Sequence, residues 1–375
     1  MTKRHVPLAK PAFDQRETDA VHRVLESGWV IQGKEVQAFE KEIARIHQME
    51  HCIAVTSGTS ALHVAFLSMD LQPGEAVFVP SFAWPSAANM ALMMGARPVY
   101  VDVLPNSYNM DANDLRKRID ECIEKGWGKP RLVVVVHEFG LAADLEPLLA
   151  VVEEYKLDIL EDAACALGAT YKGKPVGHFS PMSILSFHPR KSITTGEGGA
   201  ILTNDAELDR RCRMWRNQGQ EIIDGKKDFE TAGPNYRMTE FQAAIGSVQL
   251  DKFPDLLAHR RKVVQYYYEF LAGCEQLELP ENNPEHTWQT FMVVLKTDKD
   301  RADVIRFLGE HGFGAGLGSM TGHCMNVYRE KFGYQPEDFP NSLRFFEKGL
   351  ALPLHHLVQK EDIQECCRLL REFLS

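Results

Sequence analysis

Between about residues 50 and 205 the chain alternates between two hydrophobic rhythms. Short apolar runs recur at Cys52–Thr56, Ala76–Pro80, Pro98–Val101, Leu132–Val136, Leu157–Leu160 and Ile184–Phe187. The run Leu132–Val136 reads Leu-Val-Val-Val-Val, apolar at every position. A strand covered on both faces needs that pattern, and parallel strands are covered on both faces. Between the runs the period lengthens. Leu62, Ala65, Phe66 and Met69 keep the i, i+3, i+4, i+7 spacing of one helix face, as do Leu145, Leu148, Leu149 and Val152. Asp144 stands at the N-cap position of the second of these helices. Strands alternating with helices predict βαβ units, hence an α/β fold with a mainly parallel sheet.

After Tyr236 the pattern becomes helical again. Thr239 and Gln242 have the spacing of a capping box, and Phe241, Ala244, Ile245 and Val248 supply the apolar stripe. The stretch Asp251–Arg261 then turns polar, with Pro254 near its start. A domain junction is expected there, dividing a large domain, 1–252, from a smaller C-terminal α+β domain, 253–375. The second part carries a strand at Phe291–Leu295. It closes with a helix that places Ile363, Cys366, Cys367 and Leu370 on one face, which makes the two cysteines core residues. At roughly 100–200 residues per domain, 375 residues suit two or three domains.

Composition narrows the classes. A net charge of −10 and a pI near 5.8 argue against a nucleic-acid binder, which carries a basic stripe. Any anionic ligand must therefore be held by a local site. The eight cysteines form no CxxC pair and no zinc-spaced cluster with histidine, so no metal is expected. The N-terminal stretch MTKRHVPLAKPAF lacks the apolar segment of a signal peptide. No apolar run approaches the ~20 residues of a membrane helix. A reduced cytoplasm is the expected compartment.

Chemistry concentrates where strands end, because open α/β sheets bind ligands beyond the carboxyl ends of their strands. Three such segments suit one anionic, ring-shaped cofactor. In Thr56-Ser57-Gly58-Thr59-Ser60-Ala61-Leu62 a strand passes through a small-residue turn into a helix, whose free N–H groups can cradle a phosphate. An ordinary Ser/Thr cap gives the same pattern. In Leu157–Ala164 two acids, Glu161 and Asp162, follow an apolar strand. A carboxylate there can pair with a protonated pyridine nitrogen, and it can equally cap a helix. In Ser183–Ala200 a strand runs through Ser186-Phe187-His188-Pro189-Arg190 into Lys191 and then a glycine-rich turn. A lysine amine attacks carbonyls only when neutral, so its site must control its proton. Glycines would let backbone pass close to a ring, while a surface loop lysine is the commoner fate of the residue.

Together the three segments resemble the DegT/DnrJ/EryC1/StrS aminotransferases, pyridoxal-phosphate (PLP) enzymes of the aspartate-aminotransferase fold (fold type I) that act on nucleotide-linked keto-sugars. The resemblance runs from Ser27-Gly28-Trp29-Val30-Ile31-Gln32-Gly33 to near the C-terminus. Its most specific pieces are Glu161-Asp162-Ala163-Ala164, the Ser186–Lys191 run with its Thr-Thr-Gly-Glu-Gly-Gly tail, and Asn235-Tyr236-Arg237-Met238-Thr239-Glu240. It implies that Lys191 is the Schiff-base lysine and proton shuttle, and that Asp162 binds the pyridine nitrogen. Gly58, Thr59, Ser60 and Ser186 would hold the phosphate, with Asn235 contributed by a neighbouring subunit, hence a homodimer. Trp84 would stack on the ring, unless it is a core tryptophan.

Where the family carries Gln or His beside the cofactor's 3-hydroxyl, this chain has Cys165, a weaker hydrogen-bond partner. Substrate contacts are expected from Trp29, His188, His323 and Tyr328. The implied reaction is ping-pong. L-glutamate leaves its amine on the cofactor and departs as 2-oxoglutarate, and a nucleotide-linked 3-keto or 4-keto sugar then takes the amine, for amino-sugar biosynthesis such as that of lipopolysaccharide or O-antigen. Alternatives on the same scaffold are a sugar dehydratase, disfavoured by the intact Lys191, amination of a carbocyclic ketone, and a PLP-binding regulator, which would need a DNA-binding domain that no basic stretch provides.

Overall fold

The computed structural model describes residues 5–375; residues 1–4, the start of the N-terminal stretch considered above, lie outside the described residues. All six apolar runs form strands of one sheet. Five of them are β1 (His51–Val55), β2 (Glu75–Pro80), β3 (Arg97–Val101), β4 (Lys129–Val136) and β5 (Asp158–Asp162), and the sixth is the strand Met182–Ser186. A seventh, Gly199–Thr203, lies in what the sequence presents as the end of a glycine-rich turn. It wedges between β1 and Met182–Ser186 and runs antiparallel to both. The order is β1, Gly199–Thr203, Met182–Ser186, β5, β4, β2, β3, with the remaining pairs parallel.

Both sheet faces are covered, as the unbroken apolar strands require. On one face Val77, Val79, Val134 and Ile184 pack against Leu62, Ala65 and Phe66 of the helix Gly58–Ser68. On the other, Val133 and Val135 meet Leu145, Leu148 and Val152 of the helix Leu145–Tyr155. Asp144 occupies the N-cap position of that helix, but its carboxylate accepts from the Tyr171 hydroxyl at 2.7 Å instead of capping.

The expected junction at Asp251–Arg261 falls inside one helix, Glu240–Leu271, which carries Pro254 in its interior. The Thr239–Gln242 capping box opens it. Its first half, with Ala243, Leu250 and Phe253, packs on Phe39 and Phe187 beside the large sheet. Its second half, with Val263, Val264 and Tyr267, joins a separate apolar cluster containing Phe291, Val293, Leu350, Ile363, Cys366 and Cys367. That cluster is built on the antiparallel strands Leu277–Glu278, Phe291–Leu295 and Gly349–Leu352 and the closing helix Lys360–Leu374. Val6, far away in sequence, belongs to it as well and pairs with Phe313. The polar stretch thus marks the middle of a helix shared by two cores. Among the described residues, no helix is long and apolar enough to cross a membrane.

Candidate active site

A cavity of about 410 Å³ opens at the carboxyl ends of β4, β5 and Met182–Ser186, beside the turn that follows β1. Its volume falls in the ~300–1,000 Å³ range of small-molecule sites. Lys191 stands at its floor on a loop pinned from within. The Lys191 N–H donates to the His188 carbonyl at 2.8 Å, and the Thr194 hydroxyl and Thr195 N–H both donate to the Phe187 carbonyl, at 2.8 and 3.1 Å. The Lys191 Nζ donates to the Cys165 Sγ at 2.9 Å. Burial acts to strip the proton from Lys191, and the Cys165 sulfur, Glu138 and Asp162 outweigh it, holding the amine above the ordinary lysine value. Burial also pushes the Cys165 thiol up.

The two acids at the end of β5 part company. Successive strand residues face opposite sides of a sheet. Asp162 faces the cavity, nearly buried, and accepts from the Ala164 N–H at 3.0 Å. Burial raises its pKa. Glu161 faces away into a fully buried nest. It accepts from His137 Nε2 at 3.0 Å, the Gly177 N–H at 2.7 Å, the Phe179 N–H at 2.8 Å and the Ser180 hydroxyl at 2.9 Å. These bonds overcome its burial and hold it below the ordinary carboxylate range.

The turn after β1 forms the opposite wall. Ser57 caps the helix Gly58–Ser68 by accepting from the Ser60 N–H at 3.0 Å. Gly58 and Thr59 at the helix start have no intrahelical acceptor for their N–H groups. Both line the cavity with Ser57 and Ser186. A Cβ on Gly58 would lie 2.9 Å from the Ser186 Cβ, so only glycine lets these two elements meet. The later glycines serve the protein itself: a Cβ on Gly199 would lie 2.4 Å from the Ser57 carbonyl oxygen. Gly199 thus makes room for the chain's own turn and not for a ring.

Eight of the residues expected at the site line the cavity together: Lys191, Asp162, Cys165, Gly58, Thr59, Ser186, His188 and Trp84. Trp84 is 66% exposed at the cavity wall, so the core alternative for it falls away. Burial lowers the His188 pKa. Ser60 is nearly buried outside the cavity, its hydroxyl held at 2.9 Å by both Thr56 and Ser57. His323 and Tyr328 correct the sequence reading. His323 is fully buried, its Nδ1 2.6 Å from the Ser81 hydroxyl and its Nε2 2.9 Å from the Pro336 carbonyl. Tyr328 is also fully buried, edge-on to Tyr100 with its hydroxyl on Asn89. Both are packing residues with no face on the cavity of this chain. Trp29 and Asn235 are exposed and lie outside it.

Glu138, Gln289 and Ser319 also line the cavity, and the sequence reading missed them. Glu138 carried a signal, since it follows the apolar end of β4 as Asp162 ends β5. Gln289 and Ser319 come from the second core's side of the chain and carried none. Among the described residues no three His, Cys, Asp or Glu side chains gather as a metal site.

The donor set fits PLP on three counts. An amine stands at the floor, a buried carboxylate has one ordinary hydrogen bond and a face on the cavity, and an N–H cradle is closed by Ser186. The DegT/DnrJ/EryC1/StrS aminotransferase family model matches residues 11–371. The spore coat polysaccharide biosynthesis protein SpsC of Bacillus subtilis (strain 168) is 30% identical over 99% of this chain and 97% of its own. GDP-perosamine synthase of Escherichia coli O157:H7 is 29% identical over 99% of each. Among solved structures, Spr1654 of Streptococcus pneumoniae in its PLP form superposes with a TM-score of 0.91 at 25% identity, over 99% of this chain and 100% of that one. With fold, site and sequence in agreement over nearly its whole length, the chain belongs to the DegT/DnrJ/EryC1/StrS aminotransferase family and is a PLP-dependent aminotransferase.

Proposed function

We propose that the enzyme moves an amino group from L-glutamate to the carbonyl carbon of a nucleotide-linked keto-hexose, a 3-keto or 4-keto deoxysugar, in two half-reactions at one site. The observation that carries this reading is Lys191, held by Cys165, Glu138 and Asp162 in a cavity whose wall is the Gly58–Thr59 cradle. Bound PLP supplies an electron sink for the carbon that exchanges its proton. Lys191 would anchor the cofactor through Nζ, and the same Nζ would move the proton between the reacting carbons. Asp162 holds positive charge on the ring nitrogen. Ser57, Gly58, Thr59 and Ser186 hold the phosphate, Trp84 covers the ring, and Cys165 lies beside the lysine amine. His188 at the cavity edge contacts the sugar.

The relative named GDP-perosamine synthase carries a nucleotide-linked sugar in its name, which supports that substrate class here. The reading includes a homodimer in which Trp29 and Asn235 complete the partner's site. The exposure of Trp29, Val30, Ile31 and Trp84 supports a covered face there. It places the enzyme in amino-sugar biosynthesis in the cytoplasm.

Purified protein with added PLP should show a visible absorption band. Borohydride should then fix the cofactor to Lys191, as located by peptide mass spectrometry. A panel of nucleotide-linked 3-keto and 4-keto sugars with glutamate should yield a product whose carbonyl oxygen is replaced by an amine. Absence of the band and of the adduct defeats the reading of the site. Water loss without amination replaces the transferase with a dehydratase.

A further inference from the structure

Glu138 is a buried acid on the wall of the cavity. It is 3% exposed, yet it lines the cavity. Its neighbour His137 points the other way and donates from Nε2 to Glu161, while its Nδ1 accepts from the Ala143 N–H at 3.0 Å. Both ring nitrogens of His137 are thus occupied, and it cannot serve as the partner of Glu138. Among the described residues, the hydroxyl that favours the Glu138 carboxylate is that of Ser319, which comes from beyond the strand Phe291–Leu295 and lines the same cavity.

The backbone takes an uncommon path to put Glu138 there. Phe139, next in the chain, has φ 57°, the left-handed region, and Gly140 follows at φ 94°. A phenylalanine holds that conformation only when its surroundings fix it. Here they do. The Glu138 N–H donates to Asn109 Oδ1 at 2.9 Å, the Gln289 N–H to the Phe139 carbonyl at 2.8 Å, and the Thr287 N–H to the Gly140 carbonyl at 2.9 Å. A Cβ on Gly140 would lie 2.4 Å from Thr287 Oγ1. The loop is a rigid mount for one carboxyl group.

What that carboxyl faces is a shortage of positive charge. Asp162 faces it from the end of β5 and Cys165 from the segment that follows, Lys191 from the loop after Met182–Ser186, and Ser319 from beyond the strand Phe291–Leu295. One lysine stands among two buried carboxylates and a thiol. One cation offsets one carboxylate, and the other must take up a proton or stay exposed to repulsion in a desolvated site. Glu138 has a single hydroxyl donor, and burial pushes its carboxyl up to about 7.

We infer that Glu138 sets the charge state of Lys191, and so the pH range in which the lysine amine can act. As a carboxylate it supports the positive charge at Nζ. As a neutral acid it withdraws that support. Glu138 is thus a positioning residue that works through Lys191. The inference rests on the proposed reading of the cavity as a PLP site.

The test is a spectroscopic pH titration of the visible band that PLP gives when bound through Lys191. Loss of the negative charge in Glu138→Gln should move the midpoint of that titration down by about one pH unit, because a nearby opposite charge shifts a titration by one to three units. Glu138→Asp should restore at least part of the shift. Ser319→Ala removes the donor that favours the carboxylate, so it should move the midpoint the same way by less. It also keeps the inference testable if the Glu138 variants do not fold. A midpoint unmoved in Glu138→Gln and Ser319→Ala overturns the inference and leaves the PLP reading standing. A parent enzyme that forms no band overturns both.

Discussion

Glu161 and Asp162 are adjacent at the end of β5, and one strand away His137 and Glu138 follow the end of β4. Each pair sends one residue to each side of the sheet. On the outer side His137 and Glu161 meet at 3.0 Å, and four donors saturate the carboxylate. On the cavity side Glu138 and Asp162 have one protein donor each and share Lys191 as their cation. Burial acts on all three acids, yet it raises Asp162 and Glu138 while Glu161 ends low. The difference is the count of donors. A satisfied buried acid is a structural part, and an under-satisfied one is held ready for a ligand.

The sharpest break in this comparison is to remove the shared cation. Lys191→Ala should abolish the visible PLP band and cut amino transfer on the order of 10⁴-fold, the upper range for losing an acid–base group. It leaves two acids facing each other without a cation, so the midpoint for acid uptake by the cavity should rise. Stopped assays with glutamate and a keto-sugar, beside a difference titration, check both. Retained turnover would remove the lysine from the chemistry.

Next come the neighbours themselves. Glu161→Gln replaces an acceptor of four donors with a group that carries two donors of its own, and each buried donor left unpaired costs about 1–3 kcal/mol. Its melting temperature should fall steeply. Asp162→Asn should do the opposite. The native carboxylate is raised by burial and therefore destabilises the free protein at neutral pH, so the neutral amide should leave apo stability equal or higher while PLP binding weakens. Denaturant melts and PLP titrations on the two variants decide it. Parallel losses of stability in both would erase the distinction between the sides.

The same logic sets a pH dependence. Glu138 is pushed from 4.5 to about 7 in the folded chain, so between those values the folded state holds a proton that the unfolded state has lost. Stability of the free protein should therefore rise as pH falls from about 7.5 toward 5, by on the order of 1–3 kcal/mol. Glu161 works in the other direction. Its depressed pKa gives stability that is present above the ordinary carboxylate value and lost as pH falls below it. Melts from pH 8 to 4 should thus pass through a maximum, and Glu138→Gln should flatten the neutral limb only. A neutral limb unchanged by that substitution would mean that another group carries it.

Much of this was legible in the chain. Strands buried on both faces announce themselves as unbroken apolar runs, and Lys191, Asp162 and Gly58 stand at their ends. Three features were hidden in whole or in part, for physical reasons. Gly199–Thr203 begins with the glycine that the Ser57 turn requires, so a strand reads as loop. Glu138 sits one residue beyond a histidine, and only the three-dimensional turn at Phe139 decides which of the two faces the cavity. His323 and Tyr328 look polar enough for a substrate, but partners distant in sequence, Ser81 and Asn89, take up their polar atoms in the core. Hydrogen-bond partners far apart in sequence decide the role of a polar residue, and a single sequence does not reveal them.

The smallest effect separates Ser60 from its neighbour Gly58. The two are two residues apart in one turn, and sequence alone treats both as cradle. In the structure the Ser60 hydroxyl is held by Thr56 and Ser57, each at 2.9 Å, while Gly58 lines the cavity against Ser186. Ser60→Ala loses two hydroxyl bonds in a cap network, each worth about 1 kcal/mol, and leaves the N–H groups of Gly58 and Thr59 in place. The variant should lose about 1–2 kcal/mol of stability with PLP affinity unchanged. Gly58→Ala must instead push Ser186 aside from 2.9 Å, so it should weaken PLP binding and cost stability as well. Equilibrium PLP titration beside a melting curve resolves the two. A loss of PLP affinity in Ser60→Ala equal to that in Gly58→Ala would return Ser60 to the cradle and extend the cavity side of the comparison into the cap.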